Sequence, residues 1–487
     1  MRTRTSAGVI LASLVGLLTG IGVRAQESKP APLPREYFEI EGRPAFVIRP
    51  AKDKPKRDGA IPWVLYAPTF HKSLPSDRDE GWMMRRFLDH GIAIAGVDVG
   101  ESYGNPAGRA AYSALHKTLV AKYKFDSKVC LLSRSRGGLM VYCWAVENPD
   151  KVRCSAGIYP VCDIASYPGL RKAGGAYGMS ETELKARLAE HNPIPRLAKL
   201  AEARVPIFHI HGDVDKVVPL NANSAALADA YRKLGGPMRL MIAPGQGHNM
   251  WRGFFECQEL VDFVIAHATE VALPTPTAHW KLDEAEGAIA RDSAGGHHGQ
   301  IVGATVVEGK IGKGRLFDRP RGDYISIPYS EDFGLSTFTV SAWVKLTREP
   351  TYSGILGTRF GGERTFDMKV NDAKVHGDIG TGERWIENAV NFYAKDTGTN
   401  DQGGDLSLDR WYHLAYVIDG EGGSCRLYLD GDLKKTIKIK GVPLLMKLGQ
   451  EMRLGNSTRT EFMDGVIDDV RIWNSALTGA QVLSLAK

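Results

Sequence analysis

The 487-residue chain contains only six cysteines, and none has the C-x-x-C spacing typical of structural zinc sites. It lacks a basic run with interleaved aromatic residues, which argues against nucleic-acid binding. After residue 25 no apolar run reaches the roughly 20 residues that cross a bilayer, so no membrane span is expected in the mature chain. No acidic cluster has the spacing of a calcium loop, although calcium in the second half stays open. We therefore predict an ordinary globular protein without a cofactor.

The first 25 residues differ from the rest of the chain. Arg2 and Arg4 precede an uncharged apolar stretch over 8–22, and small residues follow it. This order is typical of a secretory signal peptide, and the stretch is short for the alternative, an uncleaved membrane anchor. We predict a signal peptide over 1–25, a disordered tether over 26–34, and a secreted or periplasmic protein.

Between residues 35 and 272, short apolar runs alternate with helical patterns. The predicted strands cover residues 37–40, 45–48, 61–67, 92–99, 129–132, 152–158, 205–210 and 239–243. The predicted helices cover residues 82–88, 107–123, 139–146, 224–234 and 254–268. Such alternation predicts a mostly parallel sheet with helices on both faces. The alternation breaks at about 160–203, where we expect a cap over the carboxyl edge of the sheet.

A linker divides the chain after this region. Residues 273–277 read L-P-T-P-T, and two prolines make so short a connection stiff. Beyond it, short alternating strands are separated by Gly, Asp and Asn, and no helical pattern of normal length appears before the last ten residues. The predicted strands cover residues 325–327, 339–344, 413–417, 426–429 and 466–473. Residues 278–487 are therefore predicted to form an antiparallel all-β sandwich that cannot swing freely on the linker.

The segment S-R-S-R-G, from Ser133 to Gly137, lies between a predicted strand and a predicted helix. A serine on such a tight turn has its oxygen exposed, while the next N–H and the helix N-terminus face a developing oxyanion. Ser135 is therefore the candidate nucleophile. Because Ser133 replaces the first glycine of the usual G-x-S-x-G motif, a Ser/Gly turn that only caps a helix is the alternative.

Two further polar stretches directly follow predicted strands. One reads H-G-D-V-D-K-V-V-P from His211, and the other reads P-G-Q-G-H and ends at His248. In a parallel sheet their loops lie at the same edge as Ser135. A serine must lose a proton to attack a carbonyl, an imidazole can accept it, and a carboxylate fixes the imidazole tautomer. The order serine, acid, histidine predicts a catalytic triad.

With these stretches, residues 35–272 resemble the α/β-hydrolases, in particular secreted dienelactone-hydrolase-like and prolyl-oligopeptidase-like enzymes. The resemblance implies that Asp215 is the acid and His248 the base, and it makes Asp213 a turn residue. Asp163, just after the preceding strand, is the alternative acid, because some of these hydrolases draw their acid from that position.

In this family the oxyanion is bound by the N–H after the nucleophile, here Arg136, and by an N–H from the loop after the third strand. The usual H-G dipeptide is missing from that loop, and Pro68 has no N–H. The register of the loop makes Phe70 the predicted second donor, with Thr69 as the fallback.

Two arginines flank the candidate nucleophile. Serine followed by arginine also occurs in glucuronoyl esterases, although this segment departs from their motif. We predict that Arg134 binds substrate. The alternative is that Arg134 and Arg136 both form ion pairs with acids such as Asp98 or Glu101.

Other histidines and cysteines receive structural interpretations. His209 is predicted to be buried on its strand, and His211 to shape the loop that follows. Export would permit one disulfide among Cys143, Cys154 and Cys162, and buried free thiols are an equal alternative.

Residues 278–487 resemble the laminin-G or concanavalin-like jelly rolls. The resemblance rests on motifs such as F-T-V-S-A-W-V over 338–344 and G-V-I-D-D-V-R-I-W over 465–473. Such domains often bind glycans and sometimes calcium. The repeated tryptophans are interpreted mainly as core anchors rather than as sugar platforms.

Together these features predict a secreted serine hydrolase that cleaves carboxylic esters on carbohydrate substrates through an acyl-enzyme. The sandwich is expected to hold it on polysaccharide. Two alternatives stay open. One is a serine peptidase of the prolyl-oligopeptidase type, although the first half lacks the long propeller that restricts those enzymes to peptides. The other is a non-catalytic glycan-binding or adhesion protein with a vestigial triad.

Overall fold

The computed structural model describes residues 31–52, 54, 57, 59–349, 352–386, 392–394 and 406–487. The predicted signal peptide lies outside these residues. Within the predicted tether, Leu33 is buried and its N–H donates to Asp77 Oδ2 at 2.8 Å. Ala31 O also accepts a hydrogen bond from Arg85. Across the described residues, no helix combines the length and the apolar character that a membrane span needs.

Eight strands form the sheet of the first domain. They are β1 (Glu36–Ile40), β2 (Arg43–Ile48), β3 (Trp63–Ala67), β4 (Ala93–Val97), β5 (Val129–Arg134), β6 (Val152–Ile158), β7 (Ile207–Gly212) and β8 (Met238–Ala243). Their spatial order is β1-β2-β4-β3-β5-β6-β7-β8. Strands β1 and β2 pair antiparallel, β2 and β4 also pair antiparallel, and every pair from β4 to β8 is parallel.

Helices cover both faces of this sheet. They are α1 (Gly81–Asp89), α2 (Pro106–Tyr123), α3 (Gly137–Ala145), α4 (Leu170–Tyr177), α5 (Glu181–Ala186), α6 (Leu188–His191), α7 (Ala198–Glu202), α8 (Ser224–Lys233), α9 (Arg252–Phe255) and α10 (Gln258–Ala268). Helices α2, α3 and α8 share one apolar core with the sheet, and α1, α9 and α10 share the other. The predicted α/β class is confirmed.

The helix predicted over 254–268 is in fact two helices. Cys257 adopts an extended backbone and precedes α10, so α9 ends at Phe255. Helices α4 to α7 fall in the region predicted as a cap. Their apolar side chains, such as Leu184, pack with Tyr103 from the loop before α2 and Leu139 from α3. The cap region therefore rests beside the carboxyl edge of the sheet.

The second domain is built from sixteen strands among the described residues. They are β9 (Ala278–Trp280), β10 (Ile289–Ala290), β11 (Gly299–Val302), β12 (Thr305–Glu308), β13 (Lys313–Phe317), β14 (Tyr324–Pro328), β15 (Phe338–Leu346), β16 (Ser353–Gly357), β17 (Arg364–Asn371), β18 (Lys374–Gly382), β19 (Phe392–Ala394), β20 (Trp411–Asp419), β21 (Ser424–Leu429), β22 (Asp432–Lys438), β23 (Glu451–Leu454) and β24 (Gly465–Trp473).

These strands form two antiparallel sheets. One has the order β10-β11-β14-β23-β16-β17-β18-β19, and the other has the order β12-β13-β24-β15-β20-β21-β22, with β9 beside β24. Phe338 and Val340 of β15 share one core with Phe366 and Met368 of β17, so the sheets pack face to face. The predicted antiparallel sandwich is confirmed.

A final helix, α11 (Gly479–Leu485), connects the two domains by packing on α10. Ala480 and Leu483 of α11 join the apolar core that α1 and α10 form in the first domain. Arg239 and Asp432 form an ion pair across the same boundary, at 3.1 Å. The Trp473 indole N–H donates to Pro274 O in the linker at 2.9 Å. The sandwich is thus docked on the first domain.

Candidate active site

Ser135 lies in a sharp turn between β5 and α3. Its φ angle is +51°, in the left-handed region that costs a residue other than glycine about 1–2 kcal/mol. Three backbone hydrogen bonds hold it there. Ser135 N donates to Ile158 O at 3.0 Å, and Ser135 O accepts from Val161 N at 2.8 Å and from Gly138 N at 3.0 Å. A Cβ atom on Gly137 would lie 2.1 Å from Ala67 O, so only glycine permits this approach of α3 to β3.

Three side chains from three loops meet at this turn. The Ser135 hydroxyl lies 2.9 Å from His248 Nε2, and His248 Nδ1 lies 2.8 Å from Asp215 Oδ2. An ionised carboxylate can only accept, so Nδ1–H donates to Asp215, and Nε2 is left to accept from the serine. The structure therefore brings Ser135, His248 and Asp215 into one hydrogen-bonded series at the carboxyl edge of the sheet.

The Asp215 carboxylate is fully buried, yet it remains strongly acidic. Burial acts to raise the pKa of Asp215, but the adjacent His211 and His248 imidazoles and the Val218 N–H outweigh it and lower the pKa well below its ordinary value. The Val217 and Val218 N–H groups donate to Oδ1 at 2.9 and 2.8 Å. Asp215 is therefore held as an anion in a fixed orientation toward His248.

His209 and His211 of β7 are both fully buried behind this acid. His211 Nε2–H donates to Val218 O at 2.8 Å, so its Nδ1 accepts from the Ser224 hydroxyl at 2.7 Å. Ser224 Oγ in turn accepts from His209 Nδ1–H at 3.0 Å, and Tyr142 OH donates to His209 Nε2 at 2.6 Å. Burial, with a smaller effect of His211, lowers the pKa of His209 to about 3. Every bond in this chain is consistent with two neutral imidazoles.

The surroundings of His248 include an aromatic residue that the sequence did not single out. The rings of Tyr159 and His248 lie 4.4 Å apart, and Phe254 packs edge-on against Tyr159 at 4.9 Å. Burial raises the pKa of Tyr159 to about 12, against the opposing effect of Arg134. Tyr159 directly follows β6 just as Ser135 follows β5. That position after a strand was the sequence signal that could have placed Tyr159 at the site.

The loops that carry Asp215 and His248 also present exposed apolar side chains. We call this set the apolar border; it consists of Val214, Val217, Met250 and Trp251. Val214 N bonds to Gln246 O at 3.1 Å, which joins the two loops. Exposed apolar side chains therefore stand on both of these loops.

The structure contradicts Phe70 as second oxyanion donor. Its N–H is donated to Leu74 O at 3.2 Å, because residues 70–74 fold into a turn of their own. In the fallback residue Thr69, the hydroxyl donates to Tyr66 O at 3.0 Å. Arg136 lies immediately after Ser135 and before the first residue of α3, where the predicted first donor is required. Its side chain forms an ion pair with Glu101, one of the two acids considered for it.

The structure also corrects the prediction for Arg134. Its guanidinium is not free for substrate, because Nη1 lies 2.8 Å from Glu80 Oε1 in a side-chain pair that is 16% and 0% exposed. The alternative of a structural ion pair therefore holds for Arg134, with Glu80 as the partner. Glu80 stands in the charged run D-R-D-E, which gave no signal of burial.

The two other candidate acids stabilise turns. Asp213 Oδ1 accepts from Gly245 N at 2.7 Å. This bond links the acid loop, residues 213–219, to the histidine loop, residues 244–251. Asp163 accepts from Ser166 N at 2.9 Å and from Asn192 Nδ2 at 2.8 Å, within the start of the cap. The structure thus brings Asp215, and not Asp163, to His248.

The six cysteines are all free and buried, so the predicted alternative of one disulfide is not formed. The described part of the chain contains no group of three or more His, Cys, Asp or Glu side chains arranged to hold a metal ion.

Two family models match separate parts of the chain. The model of the prolyl oligopeptidase family matches residues 112–270, and the model of the concanavalin A-like lectin/glucanases superfamily matches residues 319–483. The chain joins an α/β-hydrolase domain to a concanavalin-like domain. With the hydrogen-bonded series at Ser135, the hydrolase domain is that of a serine hydrolase.

Several solved structures each resemble about half of this chain. S-formylglutathione hydrolase from Agrobacterium tumefaciens is 13% identical over 50% of this chain and 99% of its own, with a TM-score of 0.40. Puromycin hydrolase is 19% identical over 48% of this chain, but over only 38% of its own length, with a TM-score of 0.39. Domain 4 of AbnA, an extracellular arabinanase from Geobacillus stearothermophilus, is 21% identical over 44% of this chain and 98% of its own, with a TM-score of 0.34. The comparison with curated proteins finds no match.

Proposed function

We propose that the hydrolase domain cleaves carboxylic esters of carbohydrates through Ser135, His248 and Asp215. The observation that carries the proposal is the series Ser135 Oγ, His248 Nε2, His248 Nδ1, Asp215 Oδ2, with contacts of 2.9 and 2.8 Å on a turn built to expose the serine. Its parts match the roles of nucleophile, general base and orienting acid in acyl transfer.

The reaction follows from these positions. His248 Nε2 takes the proton of Ser135 as Oγ attacks the ester carbonyl, and Asp215 stabilises the imidazolium that forms. The Arg136 N–H, at the start of α3, donates to the oxyanion of the tetrahedral intermediate. His248 then returns the proton to the leaving alcohol, and the acyl-enzyme remains. Water attacks this ester with His248 as base, which releases the carboxylic acid and restores Ser135.

The charges beside the nucleophile support an uncharged substrate. Arg134 is paired with Glu80 and Arg136 with Glu101, and the apolar border stands on the loops of the triad acid and base. Because both arginines are already paired, neither is available to compensate a charged substrate group that loses its water, and an uncharged ester does not need this compensation. The second candidate is peptide hydrolysis, which the match to the prolyl oligopeptidase family over 112–270 favours.

The first experiment separates these activities. Purified protein is assayed with p-nitrophenyl acetate, with fluorogenic dipeptide amides, and with acetylated, feruloylated and methyl-uronate glycans, beside the Ser135→Ala variant as control. We expect hydrolysis of the small ester and of one glycan ester, and none by the variant. Faster cleavage of the amides would establish the peptidase. No activity on any substrate, in a folded protein, would support the adhesion alternative.

We further propose that the concanavalin-like domain binds polysaccharide and that the protein is exported. Binding would keep the docked hydrolase domain at a high local concentration of substrate. Truncation after about residue 272 should preserve hydrolysis of p-nitrophenyl acetate and lower hydrolysis of insoluble polysaccharide. Because truncation removes α11 from α10, circular dichroism must first show that the shortened protein is folded. N-terminal sequencing of protein from the medium or periplasm tests export.

A further inference from the structure

A buried ion pair lies beside the nucleophile and contacts two of the segments around the site, the loop before α1 and the loop that carries His248. Arg134 is the last residue of β5, directly before Ser135, and its partner Glu80 is completely buried. Glu80 Oε1 also accepts from Tyr66 OH at 2.7 Å, and Oε2 accepts from Ser76 N at 2.8 Å. Through Glu80, the arginine is tied to β3 and to the loop that precedes α1.

The other side of the same guanidinium faces the histidine loop. Arg134 Nη2 donates to Met250 Sδ at 2.9 Å, two residues after His248. The guanidinium carbon also lies 5.0 Å from the centre of the Phe255 ring in α9, a cation–π contact. Tyr159 OH approaches the same sulfur at 4.0 Å, and the Tyr159 ring packs against His248. The histidine loop is therefore held against β5 from two directions.

The guanidinium group suits this position for a geometric reason. Its planar fork carries five N–H donors, so one nitrogen can bind a carboxylate while another contacts a second loop. An ammonium group is a point charge and cannot span both partners. Since a misplacement of a catalytic group by 1 Å can lower the rate about a hundredfold, a fixed histidine loop matters for turnover.

We propose that Arg134 is a positioning residue, which fixes the His248 loop relative to Ser135 through one buried guanidinium held by Glu80. It acts through His248 and does not touch the reacting atoms. The inference rests on the proposed function, because its readout is acyl transfer to Ser135.

The central test is the double variant Glu80→Gln with Arg134→Met. Removal of one partner would leave an unpaired buried charge and destabilise the protein, whereas removal of both is often close to neutral for stability. We expect a melting temperature near that of the parent protein. The kcat for p-nitrophenyl acetate and the rate of labelling by a fluorophosphonate should both fall about 10- to 100-fold, with KM changed less than about threefold.

A matched control comes from the opposite end of the same strand. Arg153 of β6 and Asp126, just before β5, form a similarly shielded pair with contacts of 2.8 and 3.1 Å. The double variant Asp126→Asn with Arg153→Met should leave kcat and the labelling rate unchanged. An equal loss in this control would mean that any lost ion pair slows the enzyme, and it would overturn the positioning role.

The variant Arg134→Lys keeps a charge beside Glu80 but not the fork. It should fold normally and show a kcat between those of the parent and the double variant. A parental kcat in either Arg134→Lys or the folded double variant would overturn the inference, and the lysine variant decides the matter if the double variant does not fold. Absence of ester hydrolysis in the parent protein would instead contradict the proposed function, so the two failures are distinguishable.

Discussion

Both domains bury charged side chains, but they do so in different places. In the hydrolase domain the pair Glu80 and Arg134 joins loops that are distant in sequence and meet at one edge of the sheet. In the concanavalin-like domain Lys369 contacts Asp367, Asp378 and Glu461 at 3.0 to 3.3 Å. Here Asp367 and Asp378 are direct register partners on the neighbouring strands β17 and β18.

The difference shows what each network can do. The loop network holds catalytic groups in relation to one another, and a change in it should affect turnover. The strand network fixes which residues of β17 and β18 face each other, and a change in it should affect stability. Burial and the nearby Asp378 raise the pKa of Asp367 to about 6, against Lys369 and Arg359. The cations there serve to keep two adjacent carboxylates charged.

The sharpest test of this division is Ser135→Ala. Activity should fall by several powers of ten, to the residual level left by binding and the oxyanion site, because the nucleophile is lost. Hydrolysis of p-nitrophenyl acetate and fluorophosphonate labelling are the measurements, and thermal melting should show a folded protein. Retained esterase activity together with retained labelling would reassign the nucleophile.

The next largest effect is expected from Asp215→Asn, which should lower kcat about 10⁴-fold, because the amide favours the wrong imidazole tautomer. Asp213→Asn is the matched control, since Asp213 bonds to Gly245 N and not to His248. Equal losses in the two variants, or a larger loss in Asp163→Asn, would move the acid to another residue.

In the other domain, Lys369→Met tests whether the strand network affects stability alone. Loss of the ammonium leaves Asp367, Asp378 and Glu461 with less compensation, which should destabilise the concanavalin-like domain by about 3–5 kcal/mol. Hydrolysis of p-nitrophenyl acetate below the melting temperature should not change. Denaturant unfolding measures the first effect. A fall in kcat would show that the strand network also supports the active site.

A smaller difference between the domains should appear in acid. Burial lowers the pKa of His209 to about 3 and, with Lys487, that of His267 to about 4. In the concanavalin-like domain burial lowers the pKa of His413 to about 3. Unfolded histidines take up protons below about pH 6.5 while these folded ones do not, so stability falls as the pH decreases from 6.5 toward 4.

Each such histidine contributes a loss of about 1.4 kcal/mol per pH unit across that window. With two of them, the hydrolase domain should lose more stability than the concanavalin-like domain between pH 7 and pH 5. Calorimetric melting at the two pH values checks this, with His209→Gln and His413→Gln as paired variants. A larger loss in the concanavalin-like domain would contradict it.

The smallest expected effect concerns the turn itself. Ser135→Gly should abolish hydrolysis and yet stabilise the hydrolase domain by about 1 kcal/mol relative to Ser135→Ala, since glycine adopts a φ of +51° without strain. Chemical denaturation of the two inactive variants gives the difference. Equal stabilities would mean that the surrounding structure carries no strain at this residue.

The sequence predicted for a physical reason that the loops of the three triad candidates would meet, while the choice of Asp215 over Asp213 came from the family resemblance. Ser135, Asp215 and His248 each follow an apolar run, and parallel strands deliver the residues after such runs to one edge. It could not predict Glu80, because a run of four charged residues is typical of a solvated loop, and the burial of Glu80 depends on an arginine 54 positions away. Phe70 was wrong because its loop folds back on Leu74, a contact with no sequence signature.

The same limit applies to the second domain. Strands β15 and β24 were predicted, whereas β17 and β18 were not, although residues 366–370 of β17 alternate as F-D-M-K-V. Their outward positions carry Asp367, Lys369 and Asp378, which are buried by one another rather than by apolar neighbours. A segment with charged residues at alternate positions is typical of a solvated surface, so the burial of these side chains had no sequence signal.

The docking of α11 on α10 has a consequence for the newborn chain. Roughly 210 residues separate the end of α10 at Ala268 from Gly479, which is about 10–40 s of translation at 5–20 residues per second. Throughout that interval α11 has not been synthesised, and the face of α10 that includes Phe263 is not covered by it. A ribosome that stalls within the concanavalin-like domain would thus leave a hydrolase domain with complete catalytic loops and an exposed apolar face on α10.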